Sequence, residues 1–433
     1  MSERPSALKE KMHMYSRRAW LIWRLARSLV LFFVDEHRRG TFLVNLKSIA
    51  KAKSLSLAVD MSHAELLEEK AAKLGDKPYL LFRDQVFSYR QMDDNANRLA
   101  NWLKGMGGGP GTGLAIMMKN SPRWLDVFFG LEKLGMYTVP VNVALRSDQL
   151  AYILDNSEAR FLVIDHDLLQ YFQPIAEKVP GIERIIVNTQ GAPEGYTLPP
   201  GTIDLDGAYA PDVSTTKPKE RYDLDDLCVI MYTSGTTGLP KGVVYRYSST
   251  SVKPLAIITR IISGKDEVSY TCYPLFHANA LFLSVTIAMH SEGRIALGEK
   301  FSASRFWDEV RHFGATTFNG LGAVMPILMK QPRKPNDADN PVRFVVSSGC
   351  PEDIWQDFEE RFGLQIYEGY GAVDGGNVLI TNFGTAPVGS MGKPLGAKIR
   401  LVDPSGEDVP TGTPGELICY VGSRKSSVEY FKN

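Results

Sequence analysis

The chain has 433 residues, 44% of them hydrophobic, and its 49 basic residues balance 49 acidic ones. Such a length supports two or more packed units, and a formal net charge of zero supplies no global field to attract nucleic acid or another polyanion. The four cysteines, Cys228, Cys272, Cys350 and Cys419, are scattered without CxxC or zinc spacing, and read as buried thiols of a reducing compartment.

The first unusual stretch is WLIWRLARSLVLFFV, from Trp20 to Val34. It falls short of the about 20 predominantly apolar residues that a membrane span needs. On a helix, Ile22, Leu25, Leu29, Phe32 and Phe33 share a face, while Arg17, Arg24 and Arg27 gather elsewhere. Residues 15–35 therefore read as an amphipathic helix, either lying in a membrane surface or docked on the protein's own core. Residues 1–60 form this segment and its flanks. A cleaved signal peptide does not fit, because Asp35-Glu36-His37-Arg38-Arg39 follows instead of small residues.

From about residue 61 to 190 the pattern is regular. Ser62 with Glu65, and Ser88 with Gln91, make capping boxes before AELLEEKAAKL and before a helix with Met92, Ala96, Leu99 and Leu103 on one face; Gly75 and Gly105 are placed to close these helices. LAIMM, YTVPV and ARFLVID then alternate as strands with the helical stretches SPRWLDVFFGLEKLG and RSDQLAYILDNS. This order predicts a parallel sheet covered on both faces. The run GMGGGPGTG holds no GxGxxG and precedes its strand, so it reads as a turn and not as a dinucleotide site.

Residues 191–226, rich in Gly, Pro, Thr and charge, read as a connection. A second α/β set spans 227–384. Residues 385–433 change character: KIRLVD, PSGEDVPTGTPG and ELICYV predict a small antiparallel β unit.

The second set opens with MYTSGTTGLPKGVVY, Met231 to Tyr245. Thr233, Ser234, Gly235, Thr236, Thr237 and Gly238 put small and hydroxyl side chains between two apolar runs, and Lys241 closes the loop. Glycines let successive N–H groups face one concavity that binds anions; hydroxyls add donors and the lysine a full charge. That is the chemistry that holds a triphosphate. It is not a Walker A loop, because Pro240 precedes Lys241 and Gly242 follows it.

TSGTTGLPKG resembles the phosphate-loop signature of the adenylate-forming enzymes. FSYRQMDDNANRLANWL, NSPRWLDVFFGLEKLG, LRSDQLAYILDNSEARFLVID and VRFVVSSGCPEDIWQDFEERFGLQIYEGYGAVDGGNVLITN are similar to the fatty acid transport and very-long-chain acyl-CoA synthetase group. The resemblance, from about residue 60 onward, implies two doubly wound α/β subdomains and a small β-barrel-like subdomain. It also implies ATP-dependent acyl-CoA formation through an acyl-adenylate, with Mg²⁺ and coenzyme A. Lys241, Thr236 and the other loop residues would hold the β and γ phosphates. Ser348, Gly349 and Cys350 would lie against adenine. Tyr370 would stack on it within the block Glu368, Gly369, Tyr370, Gly371, Ala372. Asp374 stands where the family has a metal-holding glutamate, and Val373 where it has a threonine. His277 would stand at the mouth of the acyl pocket, with Asn319 and Gly320 along the channel.

In the family a ribose-gripping aspartate and a small C-terminal domain with a catalytic lysine come later than Asn433. These residues alone are therefore expected to bind ATP weakly and turn over slowly. Other readings are a non-catalytic nucleotide- or lipid-binding protein on this scaffold, and a ligase for another carboxylate such as a carnitine-like acid. The expected location is the cytoplasm or the cytoplasmic face of a membrane.

Overall fold

The structure, a computed structural model, describes residues 61–220, 222–233, 239–247, 266–373, 379–384, 386–395, 398–420 and 428–432. The N-terminal segment 1–60, the loop residues 234–238 and Asp374 lie outside the described residues. The described chain divides into two compact units: a larger one of residues 61–302, 312–315 and 428–432, and a smaller one of 303–311 and 316–420.

In the larger unit, β1 (Pro78–Phe82) and β2 (Gln85–Ser88) follow helix α1 (His63–Leu74). Helix α2 (Tyr89–Gly105), β3 (Gly113–Met117), helix α3 (Pro122–Lys133), β4 (Tyr137–Pro140), helix α4 (Ser147–Asn156) and β5 (Ala159–Asp165) come next. β6 (Arg184–Asn188), β7 (Thr202–Asp204), β8 (Leu227–Thr233), β9 (Lys241–Arg246), β10 (Val268–Thr271) and β11 (Arg294–Leu297) complete the set.

Both capping boxes form: the Ser62 and Ser88 hydroxyls accept from the backbones of Glu65 and Gln91, whose side chains accept in return. Gly75 closes α1 as its spacing predicts. For α2 the left-handed position falls to Gly107, at φ +90°, and not to Gly105, which ends the helix; the Gly108 amide returns to the Leu103 carbonyl at 2.9 Å. GMGGGPGTG is thus the turn into β3.

A seven-stranded sheet runs β7-β6-β5-β3-β4-β8-β9, parallel except for the final antiparallel pair β8–β9. A second group, β10-β11-β1-β2, is parallel apart from β1–β2. Sheet membership therefore departs from chain order: β8 and β9 join the strands of the first α/β set.

Helix α3 buries Trp124, Leu125, Val127, Phe128, Phe129 and Leu131 completely. Each such burial stabilises by about 1.5–3 kcal/mol. Gly130 lets α2 and α3 close up, for a Cβ there would meet the Leu99 Cβ at 2.8 Å. Cys228, Cys272 and Cys350 are buried, Cys419 is partly buried, and none of the four joins a disulfide among the described residues.

The same helix buries Asp126. Its carboxylate accepts from the Tyr209 hydroxyl at 2.9 Å and from the Asn95 amide at 3.2 Å. Burial outweighs both bonds and pushes its pKa up to about 7. An unfolded aspartate titrates near 3.9, so the folded chain holds the extra proton between those values and loses stability as pH rises through about 7. Between pH 5.5 and 8.5 this costs about 2 kcal/mol. Asp126→Asn should narrow the gap in melting temperature between those two pH values; an unchanged gap would place the titration elsewhere.

In the smaller unit, β12 (Thr317–Leu321), β13 (Phe344–Ser348) and β14 (Gln365–Tyr370) are parallel, and β15 (Leu379–Asn382) and β16 (Lys393–Leu395) add antiparallel strands. Helix α5 (Glu352–Phe362) crosses from β13 to β14 and ends at Gly363, φ +69°. Its Arg361 is buried, pairing with Asp337 at 2.7 Å and donating to the carbonyls of Met329, Gln331 and Pro332 at 2.8–3.0 Å. The expected small β unit is an antiparallel hairpin of β17 (Lys398–Val402) and β18 (Glu416–Tyr420), and the described residues close no barrel there.

Candidate nucleotide site

The hydroxyl-rich motif occupies the β8–β9 hairpin. Thr233 ends β8, Lys241 begins β9, and their Cα atoms are register partners. Thr233 is half-buried, whereas Lys241 and Leu239 are exposed. The hairpin thus presents Lys241 to solvent where the strand pair opens. Gly242 has a packing reason to follow the lysine: a Cβ there would lie 2.7 Å from the Ile230 Cγ2 and 3.1 Å from the Tyr232 ring. Tyr232 in turn donates to the Asn156 side chain at 2.6 Å, tying β8 to the end of α4.

His277, also in the larger unit, precedes a π-helical stretch, Asn279–Val285. Its amide donates to the Pro274 carbonyl at 3.0 Å and its own carbonyl accepts from Leu281 at 3.1 Å. The imidazole is exposed and tilted against Phe276, ring centroids 4.6 Å apart. Partial desolvation moves its pKa below the ordinary histidine value, which favours the neutral ring.

The smaller unit carries the other assigned positions. Ser348 ends β13, and Gly349 follows at φ +92° with no atom within 4 Å of where a Cβ would sit. Only glycine takes that backbone readily, and the space beside it stays open. Glu368 explains why the turn holds. Its buried carboxylate accepts from the amides of Gly349 and, at 3.4 Å, Cys350. Burial raises its pKa, and the bond from the Gly349 amide works against that rise. Glu368 therefore shapes the Gly349 turn from the neighbouring strand.

Tyr370 ends β14 at 36% exposure, and Gly371 and Ala372 after it are exposed. The tyrosine ring is thus free to offer a face, and Val373 is half-buried. Asn319 and Gly320 lie within β12, both buried. A Cβ on Gly320 would meet the Met325 sulfur at 2.7 Å, so that glycine packs against its neighbour. No cluster of three or more His, Cys, Asp or Glu is arranged to hold a metal among the described residues.

Each unit thus carries its own features: the larger a mostly parallel α/β sheet whose β8–β9 connection closes on the exposed Lys241, the smaller a glycine turn at Gly349 and an exposed Tyr370. The family profile described as AMP-binding enzyme matches residues 67–424, and the chain belongs to that family.

Among curated relatives, the medium/long-chain-fatty-acid–CoA ligase FadD6 of Mycobacterium tuberculosis is 32% identical over 372 residues, 82% of this chain and 60% of the relative. Long-chain fatty acid transport protein 6 of Mus musculus is 30% identical over 321 residues, 73% of this chain and 51% of the relative. The chain thus spans little more than half the length of these relatives. Among solved structures, the inhibitor-bound N-terminal domain of FACL13 from Mycobacterium tuberculosis superposes with a TM-score of 0.70 at 21% identity. That match covers 86% of this chain and 92% of the other, and it establishes the shared fold.

Proposed function

We propose that the chain is the nucleotide- and acid-binding part of an ATP-dependent acyl-CoA synthetase for long- or very-long-chain fatty acids. The observation that carries this reading is the β8–β9 hairpin, whose sequence TSGTTGLPKG places the exposed Lys241 at the start of β9. In the first step a carboxylate oxygen of the acid attacks the α-phosphorus of ATP, brought in as its Mg²⁺ complex. The bond from that phosphorus to the bridging oxygen breaks, releasing pyrophosphate and leaving an acyl-adenylate. In the second step the thiol of coenzyme A takes the acyl group and AMP leaves.

The protein's own share is positioning and charge neutralisation. Thr233, Ser234, Gly235, Thr236, Thr237 and Gly238 present donors to the β and γ phosphates, and Lys241 offsets their charge. Gly349 and its neighbours Ser348 and Cys350 admit the base, and Tyr370 stacks on it. Asp374 is assigned to the metal ion that accompanies the nucleotide. His277, whose ring favours the neutral form, is assigned to the acid, as are Asn319 and Gly320. Residues 15–35 are assigned to a membrane surface, from which a long-chain acid is drawn.

A second reading rests on Val373, whose methyl groups stand where adenylate-forming enzymes carry a hydroxyl. A valine cannot donate to the reacting phosphate or carboxylate. Under that reading the chain binds nucleotide without adenylating an acid.

Mass-spectrometric trapping of acyl-adenylate separates the two, using ATP with palmitate, a very-long-chain acid and a carnitine-like acid. Adenylate with the fatty acids supports the synthetase. ATP binding without adenylate supports the second reading, and adenylate with the carnitine-like acid alone moves the substrate class. Failure to bind ATP at all would remove both readings.

A further inference from the structure

A short segment near the end of the described chain completes the hairpin. Tyr430 bridges Val243 in antiparallel fashion. The Val244 amide donates to the Glu429 carbonyl at 2.8 Å, and the Phe431 amide to the Gly242 carbonyl at 2.7 Å. Residues 429–431 therefore run along β9 as an added strand. Side chains fasten it on both sides. Arg246 grips the Glu429 carboxylate in a fork, at 2.6 and 3.0 Å, and Lys432 pairs with Glu158 at 2.9 Å. Phe431 packs against the apolar core beneath the seven-stranded sheet.

This fixes Tyr430 opposite Val243, two residues along β9 from Lys241. The Lys241 ammonium sits over the Tyr430 ring, 5.1 Å from its centroid. Lysine has a flexible four-carbon stem, and an exposed ammonium has many poses open to it. A ring face attracts the cation without neutralising it, so the charge stays available to an anion.

We propose that Tyr430 is a positioning residue for Lys241, holding its ammonium at the mouth of the hairpin for the outer phosphates of a nucleoside triphosphate. The inference rests on the assignment of Lys241 to those phosphates. Glu429, Arg246 and Phe431 hold Tyr430 in place, and the ring acts on the nucleotide only through the lysine.

Calorimetric titration of ATP and of AMP tests it, on the full chain with Tyr430→Leu and Tyr430→Phe, each in the wild-type and the Lys241→Ala background. Tyr430→Leu should weaken ATP binding by about two- to fivefold, the range expected of an exposed cation–π contact. AMP, which lacks the outer phosphates, should bind unchanged. Tyr430→Phe keeps the ring and should restore ATP affinity. In the Lys241→Ala background, Tyr430→Leu should have no further effect.

A second readout needs no nucleotide. In reductively methylated protein, the Lys241 signal should be shifted upfield by the ring current and return to the free-lysine position in Tyr430→Leu. Equal losses for ATP and AMP, a loss that persists without Lys241, or an unshifted Lys241 signal would each overturn the proposal. If Lys241→Ala itself leaves ATP affinity unchanged, the phosphate assignment fails as well. If Lys241→Ala weakens ATP while Tyr430→Leu does nothing, only the positioning role fails.

Discussion

Lys241→Ala should weaken ATP binding by about ten- to a hundredfold, the equivalent of about 1.5–3 kcal/mol for a charge-assisted hydrogen bond. The side chain is exposed at the start of β9, so its loss leaves no buried group without a partner. Stability should therefore change by no more than about 0.5 kcal/mol, as for other surface substitutions. AMP affinity should hardly move. Lys241→Arg should recover part of the loss, since the charge remains while its shape changes. Isothermal titration with ATP and AMP checks the three affinities, and urea unfolding checks the stability. An ATP affinity that survives the alanine substitution would mean that the hairpin does not hold the phosphates.

Arg361→Ala should produce the largest loss of stability, about 3–5 kcal/mol, because it strips the partner from a buried charge. The guanidinium joins four acceptors: the Asp337 carboxylate and the carbonyls of Met329, Gln331 and Pro332. Its side chain is only 4% exposed, so water does not readily replace it. Arg361→Lys should restore only a fraction, because an ammonium cannot present a planar fork to acceptors spread along a loop. The consequence reaches the candidate site through connectivity. Helix α5 turns at Gly363 directly into β14, which carries Glu368 and ends at Tyr370. Urea unfolding gives the stability change, and amide hydrogen exchange along β13 and β14 shows whether those strands loosen together. A loss below about 1 kcal/mol would show that the carbonyls find other donors.

What could be read from the sequence follows the range of the interactions involved. The capping boxes at Ser62 and Ser88 are local, with both partners within one helical turn, and they form as spacing predicts. The strands Arg294–Leu297 and Ala159–Asp165 coincide with their apolar runs. Gly107 displaces Gly105 at the end of α2 because the choice between neighbouring glycines depends on the carbonyl each amide can reach, and periodicity does not encode that.

Sheet order was beyond reach for a stronger reason. Nothing in LCVIMYT announces that β8 pairs with β4, since an apolar parallel strand reads the same at any central position. The site shows the same division. Residue order alone marks the hairpin. The inward turn of the Glu368 carboxylate toward Gly349 and Cys350, across 18 or 19 positions, leaves no local trace. Tyr430 lies still farther from its partner in sequence, and nothing in its stretch, SRKSSVEYFKN, marks that contact.

The added strand at β9 has one more effect. A sheet that stopped at β9 would offer a row of unmatched amides and carbonyls, and such a border recruits strands from other molecules. Residues 429–431 occupy that border through Gly242 and Val244, and the charged pairs flanking them disfavour a further apolar layer. The few residues that steady a lysine on one side thus also guard the molecule against polymerising along its open margin.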